Sequence, residues 1–490
     1  MWSSARTMGS VVLVAAVIVA GTSCSSGDKK ASCGENGRGA KVETIRVPQD
    51  HATIQAAVCA AHEGDLVLVD KGIYREAVDV NTPNLTIRGT DRNAVILDGG
   101  FKKENGIRVL DTNGVVVENM TARNYVSNGF FWTGSDYYRG SYLTAYRNGD
   151  YALYAFDAYH GQFDHSYGGG SPDAGFYIGE CFKCDAVIDT VVSENNGLGY
   201  SGTNSGGDLY IVNSTFRNNR AGIVPNSGSY ELCYPERETT IVGNLVYNNN
   251  NGRSPAIDVA LLASGNGILV PGGVRNTIER NRVFNHDRTG IGLVPFPEGD
   301  ANDLPPAPSE WRTPCSKTRD VAVPKIPKAQ CVDLAGVDLG GADAGKFFKP
   351  CVVMWHPFEN RVVGNVVEGS GVADIAVGTL DLSGAGITTA TLRNCFSGNT
   401  FTKTAPTNLE GLAPCDGSGN GGDWNAGSLD LIGVFLDLPA APPKDRWKTM
   451  PIPPKQEMMP GAPTRRPERF RGPQLPDISA ITVPDKPAGA

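Results

Sequence analysis

Between about residue 129 and residue 221 this chain repeats itself every 23 residues. Phe131, Tyr154, Tyr177 and Tyr200 stand one interval apart, and so do Asp150, Asp173, Asn196 and Asn219. Gly134, Asp157, Glu180 and Thr203 form a third column. A fixed period of this length is the mark of stacked coils, each a unit that cannot bury its own apolar face without its neighbours. The spacing therefore predicts a solenoid, whose core grows along one axis and escapes the size limit on a single globular core.

Local chemistry agrees. Short runs rich in Val, Ile, Tyr and Thr end at clusters of Asn and Gly, as in Val191-Val-Ser-Glu-Asn-Asn-Gly197 and Phe216-Arg-Asn-Asn-Arg-Ala-Gly222. Such runs read as strands and such clusters as corners, where Asn tolerates left-handed backbone and bonds its neighbours. Stacked Asn side chains can also bond one another from coil to coil. Glycine supplies 60 of 490 residues, which suits a chain with many tight corners. After residue 221 the asparagine corners move to Asn248 and Asn285, so the later coils must carry outward loops. Residues 297–350 are too polar and Pro-rich to be a coil and read as an insertion, after which coils resume near Glu359 and Thr391. Ahead of the repeats, Ile54, Ala57, Val58 and Ala61 share one helical face, predicting a helix that covers the first coil. Residues 439–490 form a Pro-rich tail, read as extended or disordered and lying along the solenoid.

The order Thr53-Ile-Gln-Ala-Ala-Val, Gly64-Asp-Leu-Val-Leu-Val, Gly72-Ile-Tyr-Arg-Glu, Leu85-Thr-Ile-Arg-Gly resembles the start of right-handed parallel β-helix (pectate-lyase-like) proteins. Ser171 to Cys184 is similar to a recurrent coil of bacterial members. The resemblance spans roughly residues 44–300 and 352–402. It implies an all-β fold, a right-handed parallel β-helix over 41–438 with an N-terminal capping helix, the 297–350 insertion and the 439–490 tail. It does not imply an activity, since this superfamily includes lyases, esterases and carbohydrate binders and fold alone does not fix function.

The N-terminus reads as an export signal, with Arg6 ahead of the apolar run Val11 to Ala20. Gly21-Thr22-Ser23-Cys24 resembles the lipobox of bacterial lipoproteins, although Gly21 stands where that family has leucine. The reading is a lipoprotein-type signal over 1–24 with lipidation at Cys24; a plain cleaved signal of a secreted protein is the alternative. Residues 25–40 then form a flexible tether. Eleven cysteines less Cys24 leave an even set, which in an exported chain suggests disulfides. Cys33 with Cys59 is the expected pair at the N-terminal cap, and Cys181 with Cys184 is read as a local bridge rather than a zinc or redox motif. A net charge of −8 with no basic stripe makes nucleic acid a poor partner.

Strand alternation places Phe130, Leu153, Phe176, Ile223, Ile268 and Ile291 inside, so Phe131, Tyr154, Tyr177 and Tyr200 point outward. At about 4.8 Å per coil they would form an aromatic strip roughly 15 Å long, suited to the C–H faces of a sugar chain. The plainer alternative is a packed ladder beneath a covering loop. Beside the strip, Asp157 stacks on Glu180 and His160 on Lys183. Two carboxylates about 5 Å apart match a retaining glycosidase pair. In a lyase, His160 or Lys183 would serve as base, with Ca²⁺ held by Asp157 and Glu180; no dedicated metal site is otherwise read. The alternative is a salt-bridged corner. Asp185 and Asp208 make a second stacked pair in register with Arg139 and Gln162, His165 stacks with Tyr142 and Ile188, and His286-Asp287-Arg288 decorates a turn. The functional expectation is an exported, lipid-anchored protein that binds, and cleaves or modifies as a polysaccharide lyase or glycoside hydrolase, a polysaccharide. The alternative is a non-catalytic cell-envelope scaffold or maturation factor whose solenoid binds protein. The sequence is silent on oligomeric state.

Overall fold

A computed structural model of the chain describes residue 33 and residues 41–299, 305–311, 315, 353–381 and 385–489. The export segment, Cys24, most of the tether and most of the 297–350 insertion lie outside the described residues. The chain winds as a right-handed parallel β-helix with three long parallel sheets. The first has 12 strands, from Thr44–Val47 to Cys395–Ser397. The second has 10, from Gly72–Tyr74 to Val366–Ser370, and the third 11, from Val78–Val80 to Thr404–Ala405. Each complete coil contributes one strand to each sheet, so within these three sheets every strand but the terminal ones is paired on both edges.

The core lies between the three sheets. Phe130, Leu153, Phe176, Ile223, Ile268 and Ile291 are all fully buried within it. Corners are made by single residues in left-handed backbone. One column of such residues runs Tyr142, His165, Thr190, Asn213, Gly243, Arg280, Gly364 and Gly398, and another runs Asn195, Asn218, Asn248 and Asn285. Inside these corners run asparagine ladders. Asn196 Nδ2 donates to Asn219 Oδ1 (3.1 Å), and Asn219 Nδ2 to Asn249 Oδ1 (3.0 Å). A second ladder runs Asn244, Asn281, Asn365 and Asn399. Each side chain replaces the water that a corner's buried backbone groups would otherwise lack.

The ends are closed by local helices. Ile54–Ala60 caps the first coil, with the Thr53 hydroxyl accepting from Ala56 N and with Ile54, Ala57 and Val58 buried. At the far end Leu409–Leu412 buries Leu409 and Leu412. The insertion leaves and returns through an antiparallel pair, Phe296–Glu298 against Val353–Trp355. Four disulfides join described residues: Cys33–Cys59, Cys181–Cys184, Cys233–Cys315 and Cys395–Cys415.

The tail is extended and follows the solenoid. Proline has no N–H, so a Pro-rich strand cannot join a ladder and offers mainly carbonyls. The solenoid supplies the donors: Arg147 Nε bonds Met450 O (2.5 Å), Arg92 Nη1 bonds Glu457 O (2.8 Å) and Arg88 Nη1 bonds Arg465 O (2.5 Å). Further on, Gln474 N donates to Gln162 Oε1 (2.9 Å), and Arg282 Nε donates to Pro484 O (2.6 Å). The tail thus reaches the early coils, turns near Gly461 and runs back toward the late ones.

Candidate functional site

The outer face of the third sheet carries the aromatic strip, and its register decides which rings belong. Phe131 pairs with Tyr154 and Tyr154 with Tyr177. The rings stack at 5.1 Å and 4.7 Å between centroids, tilted by 8° and 14°. The next partner is Ser201, not Tyr200. Phe176 pairs with Tyr200, 24 residues on, so Tyr200 falls in the inner column and is 0% exposed. The 23-residue column of aromatics is therefore real in sequence but breaks in space at its fourth member. A one-residue change in spacing moves a strand side chain to the opposite face.

Exposure falls along the three remaining rings. Phe131 and Tyr154 are half-buried, whereas Tyr177 is 1% exposed. Tyr177 is sealed by the loop after Asn226, where its hydroxyl bonds both Glu231 carboxyl oxygens at 2.6 Å. That loop is pinned by Asn204, whose Nδ2 donates to Gly228 O (2.5 Å) and Glu231 O (2.7 Å). Beyond Tyr177 the same face is closed by an apolar cluster that includes Val224, Ala260, Leu269 and Leu431. Residues Ala260 and Leu431 come from two short helices, Asp258–Leu262 and Leu431–Leu436.

Tyr151 completes the site. Its ring lies 4.7 Å from that of Tyr154 and 4.9 Å from that of Tyr177, and its hydroxyl bonds Asp173 Oδ2 at 2.5 Å. Asp150 adjoins Asp173 on the neighbouring coil, where Asp173 N donates to Asp150 O. Burial raises both carboxyls, and the neighbouring Asp150 raises Asp173 further. Burial likewise raises Glu231, aided by Glu180 and Asp173. The phenols of Tyr151, Tyr154 and Tyr177 are raised by burial first and by these carboxylates next. The result is a half-open aromatic floor ending in a wall of carboxyl groups that hold their protons to unusually high pH. Such a wall can donate hydrogen bonds to hydroxyls and ether oxygens as well as accept them.

Of the four residues expected to carry chemistry, Glu180 reaches this cluster. Asp157 and Glu180 do occupy consecutive coils, in the left-handed column Asp111, Gly134, Asp157, Glu180, Asn204. His160 and Lys183, however, are not stacked. The Cys181–Cys184 corner adds two residues, so Gly161 pairs with Ala186, and His160 lies over Asp185. His160 Nδ1 sits 2.7 Å from Asp185 Oδ2, while Lys183 Nζ sits 3.2 Å from Asp208 Oδ2 in an exposed pair. These two follow the salt-bridged-corner alternative. The same enlargement removes Asp185 and Asp208 from the column of Arg139 and Gln162, which continues instead into Val187 and Tyr210. His165 does stack on Tyr142, with centroids 4.5 Å apart, but its backbone bonds to Asp189 place it beside Thr190 rather than Ile188. His286 is no turn decoration: it is buried at the end of an asparagine ladder, 3.3 Å from Asn249 Nδ2, and burial lowers it to about 3. Among the described residues no three His, Cys, Asp or Glu side chains cluster closely enough to hold a metal ion, and so the Ca²⁺ expectation gains no ligand set there.

Sequence reasoning passed over Glu231 and Tyr151. Glu231 lies in a loop outside the period and carried no signal. Tyr151 follows Asp150 directly and was legible only as part of the Asp150–Asp173 column.

The raised Asp173 carboxyl carries a pH signature. The folded state keeps this proton above the unfolded value of about 4, so ionisation destabilises the fold increasingly as pH rises through and beyond that value. Asp173→Asn, which can still accept from the Tyr151 hydroxyl, should match wild type near pH 4. It should be more stable at pH 8 by on the order of 1–2 kcal/mol. Urea unfolding at the two pH values checks this, and an equal difference at both would refute the buried-proton account.

No family model matches the sequence, and no curated protein matches it. Solved structures with a similar backbone course include an alginate lyase from Paenibacillus sp. str. FPU-7, at 16% identity and TM-score 0.37, covering 51% of this chain and 90% of that one. The A-module of Azotobacter vinelandii mannuronan C-5 epimerase AlgE6 is similar at 15% identity and TM-score 0.41, covering 72% and 94%. The class that the sheets and corners define is a right-handed parallel β-helix protein.

Proposed function

We propose that this chain is an extracytoplasmic protein that binds a polysaccharide along the outer face of its third sheet. The observation that carries this is the partly exposed stack of Phe131 and Tyr154, running into the closed Tyr151–Tyr177–Glu231 end. Flat rings take the C–H faces of sugars, and the carboxyl wall takes their hydroxyls. Four disulfides among the described residues support an oxidising compartment. With them we keep the lipoprotein-type signal over 1–24, lipidation at Cys24 and the 25–40 tether as parts of the proposal. In its finer form the site would also cleave or modify the chain, as a lyase or glycoside hydrolase. Glu231 and Asp173, which hold their protons, then suit the acid role better than Asp157, His160 or Lys183.

Tyr154→Ala should weaken retention on the bound polysaccharide about tenfold or more, the usual scale for losing a central aromatic anchor. Affinity electrophoresis against a panel of glycans measures it. Unchanged retention of a glycan that wild type binds would overturn the reading. One observation favours the scaffold alternative: the chain itself closes the C-terminal half of the third sheet's outer face. A wild type that retains no glycan would leave that alternative standing.

A further inference from the structure

On the outer face of the first sheet, the returning tail roofs a small cavity of about 110 Å³. Its floor comes from Arg88, Glu118 and Arg139, and its roof from the segment 465–471, Arg-Arg-Pro-Glu-Arg-Phe-Arg. The floor is balanced: Arg88 Nε bonds Glu118 Oε2 at 2.7 Å, and Arg139 Nε bonds Asp164 Oδ2 at 2.9 Å. The roof is not. Glu468 lies 4.0 Å from Arg465, while Arg466, Arg469 and Arg471 have no carboxylate partner among the described residues. This concentration of positive charge stands out in a chain of net charge −8.

The segment is held in place before any ligand arrives. Arg88 grips Arg465 O at one end, and Gln162 receives Gln474 N at the other. Pro467 and Pro473 stiffen the chain between these two ties. A backbone fixed in this way need not be ordered on binding, and the planar forks of its arginines match carboxylates and sulfates. The cavity has room for one such group with a few waters, not for a sugar ring. It also lies close to the aromatic strip along the chain. Phe131, Tyr137 and Arg139 follow one another on a single coil, and between the two faces Tyr137 is 40% exposed and stacked on His160 at 4.8 Å.

We infer that the arginine-roofed cavity is a second subsite, which takes the acidic groups of the polysaccharide, so that the ligand is an acidic glycan crossing the corner at Tyr137. The inference rests on the polysaccharide reading of the third sheet. Wild type, Arg466→Gln/Arg469→Gln/Arg471→Gln and Tyr154→Ala are titrated with polygalacturonate and with neutral dextran, at several salt concentrations. The expected result is that wild type prefers polygalacturonate, that its affinity falls with salt, and that the triple variant loses about tenfold or more with a flatter salt dependence. The three arginines are exposed, so the variant should fold as wild type does. An unchanged triple variant, dextran bound as tightly as polygalacturonate, or wild type binding no polygalacturonate would each overturn the acidic subsite. Loss of binding in Tyr154→Ala alone would do so while leaving the aromatic reading intact.

Discussion

Phe163→Ala should cost about 3–5 kcal/mol of folding stability, the scale for deleting a fully buried aromatic ring. Phe163 is 0% exposed and lies 5.6 Å from Trp132, 5.5 Å from Tyr138 and 6.3 Å from Phe176, measured between rings. The coil above leaves room for it: Gly140 is its register partner, and a Cβ there would stand 3.1 Å from both the Phe163 ring and the Leu143 side chain. The three sheets enclose the site, so the cavity left by the ring cannot close by a small shift of backbone. Phe163→Leu keeps most of the volume and should cost markedly less. Urea denaturation followed by fluorescence measures both, and a loss below about 1 kcal/mol for the alanine variant would mean that the core collapses around the gap.

Asn281→Ala should cost about 3 kcal/mol or more, although it removes only a small polar side chain. Asn281 Oδ1 accepts from Asn244 N (2.9 Å) and Asn244 Nδ2 (3.0 Å). Its Nδ2 donates to Ile241 O (2.9 Å) and Asn365 Oδ1 (3.0 Å). Alanine removes all four bonds at once. Asn244 Nδ2 keeps Ile211 O (2.7 Å) and Asn365 Oδ1 keeps the Asn281 backbone N (2.9 Å), but Asn244 N loses its side-chain acceptor, and each buried group left unpaired costs about 1–3 kcal/mol. Asn250, an exposed residue whose side chain bonds Asp287 on the surface, is the internal control. Asn250→Ala should stay within about 0.5 kcal/mol of wild type. If the two variants prove alike, the ladders decorate the corners rather than hold them.

The fold was legible because coil geometry writes itself into sequence as a period, and asparagine-rich corners punctuate it. The spacings of 30 and 37 between Asn218, Asn248 and Asn285 reappear as the register from Thr215 to Leu245 to Arg282. The site was legible only in part. A fixed interval cannot show where a corner gains two residues and a later one gives one back. The Cys181–Cys184 enlargement carries His160 over Asp185, and the next coil turns Tyr200 inward. Corner residues such as Asp157 and His160 recur because left-handed backbone favours short polar side chains, so their alignment alone is no mark of chemistry. Glu231 belongs to a loop that enters the site from outside the repeat, and periodicity has no hold on it.

The tail gives the molecule a property that its coils lack. A bare stack of repeats frays from either end, because each coil is held only by its neighbours. Here the last residues of the chain are fastened to the early coils by Arg88 and Arg92 and to late ones by Arg280 and Arg282. Peeling the first coils away therefore first requires shedding a strand that belongs to the opposite end. Opening of either end is thereby coupled to release of the tail that ties it to the other, a link that a bare stack of repeats does not have.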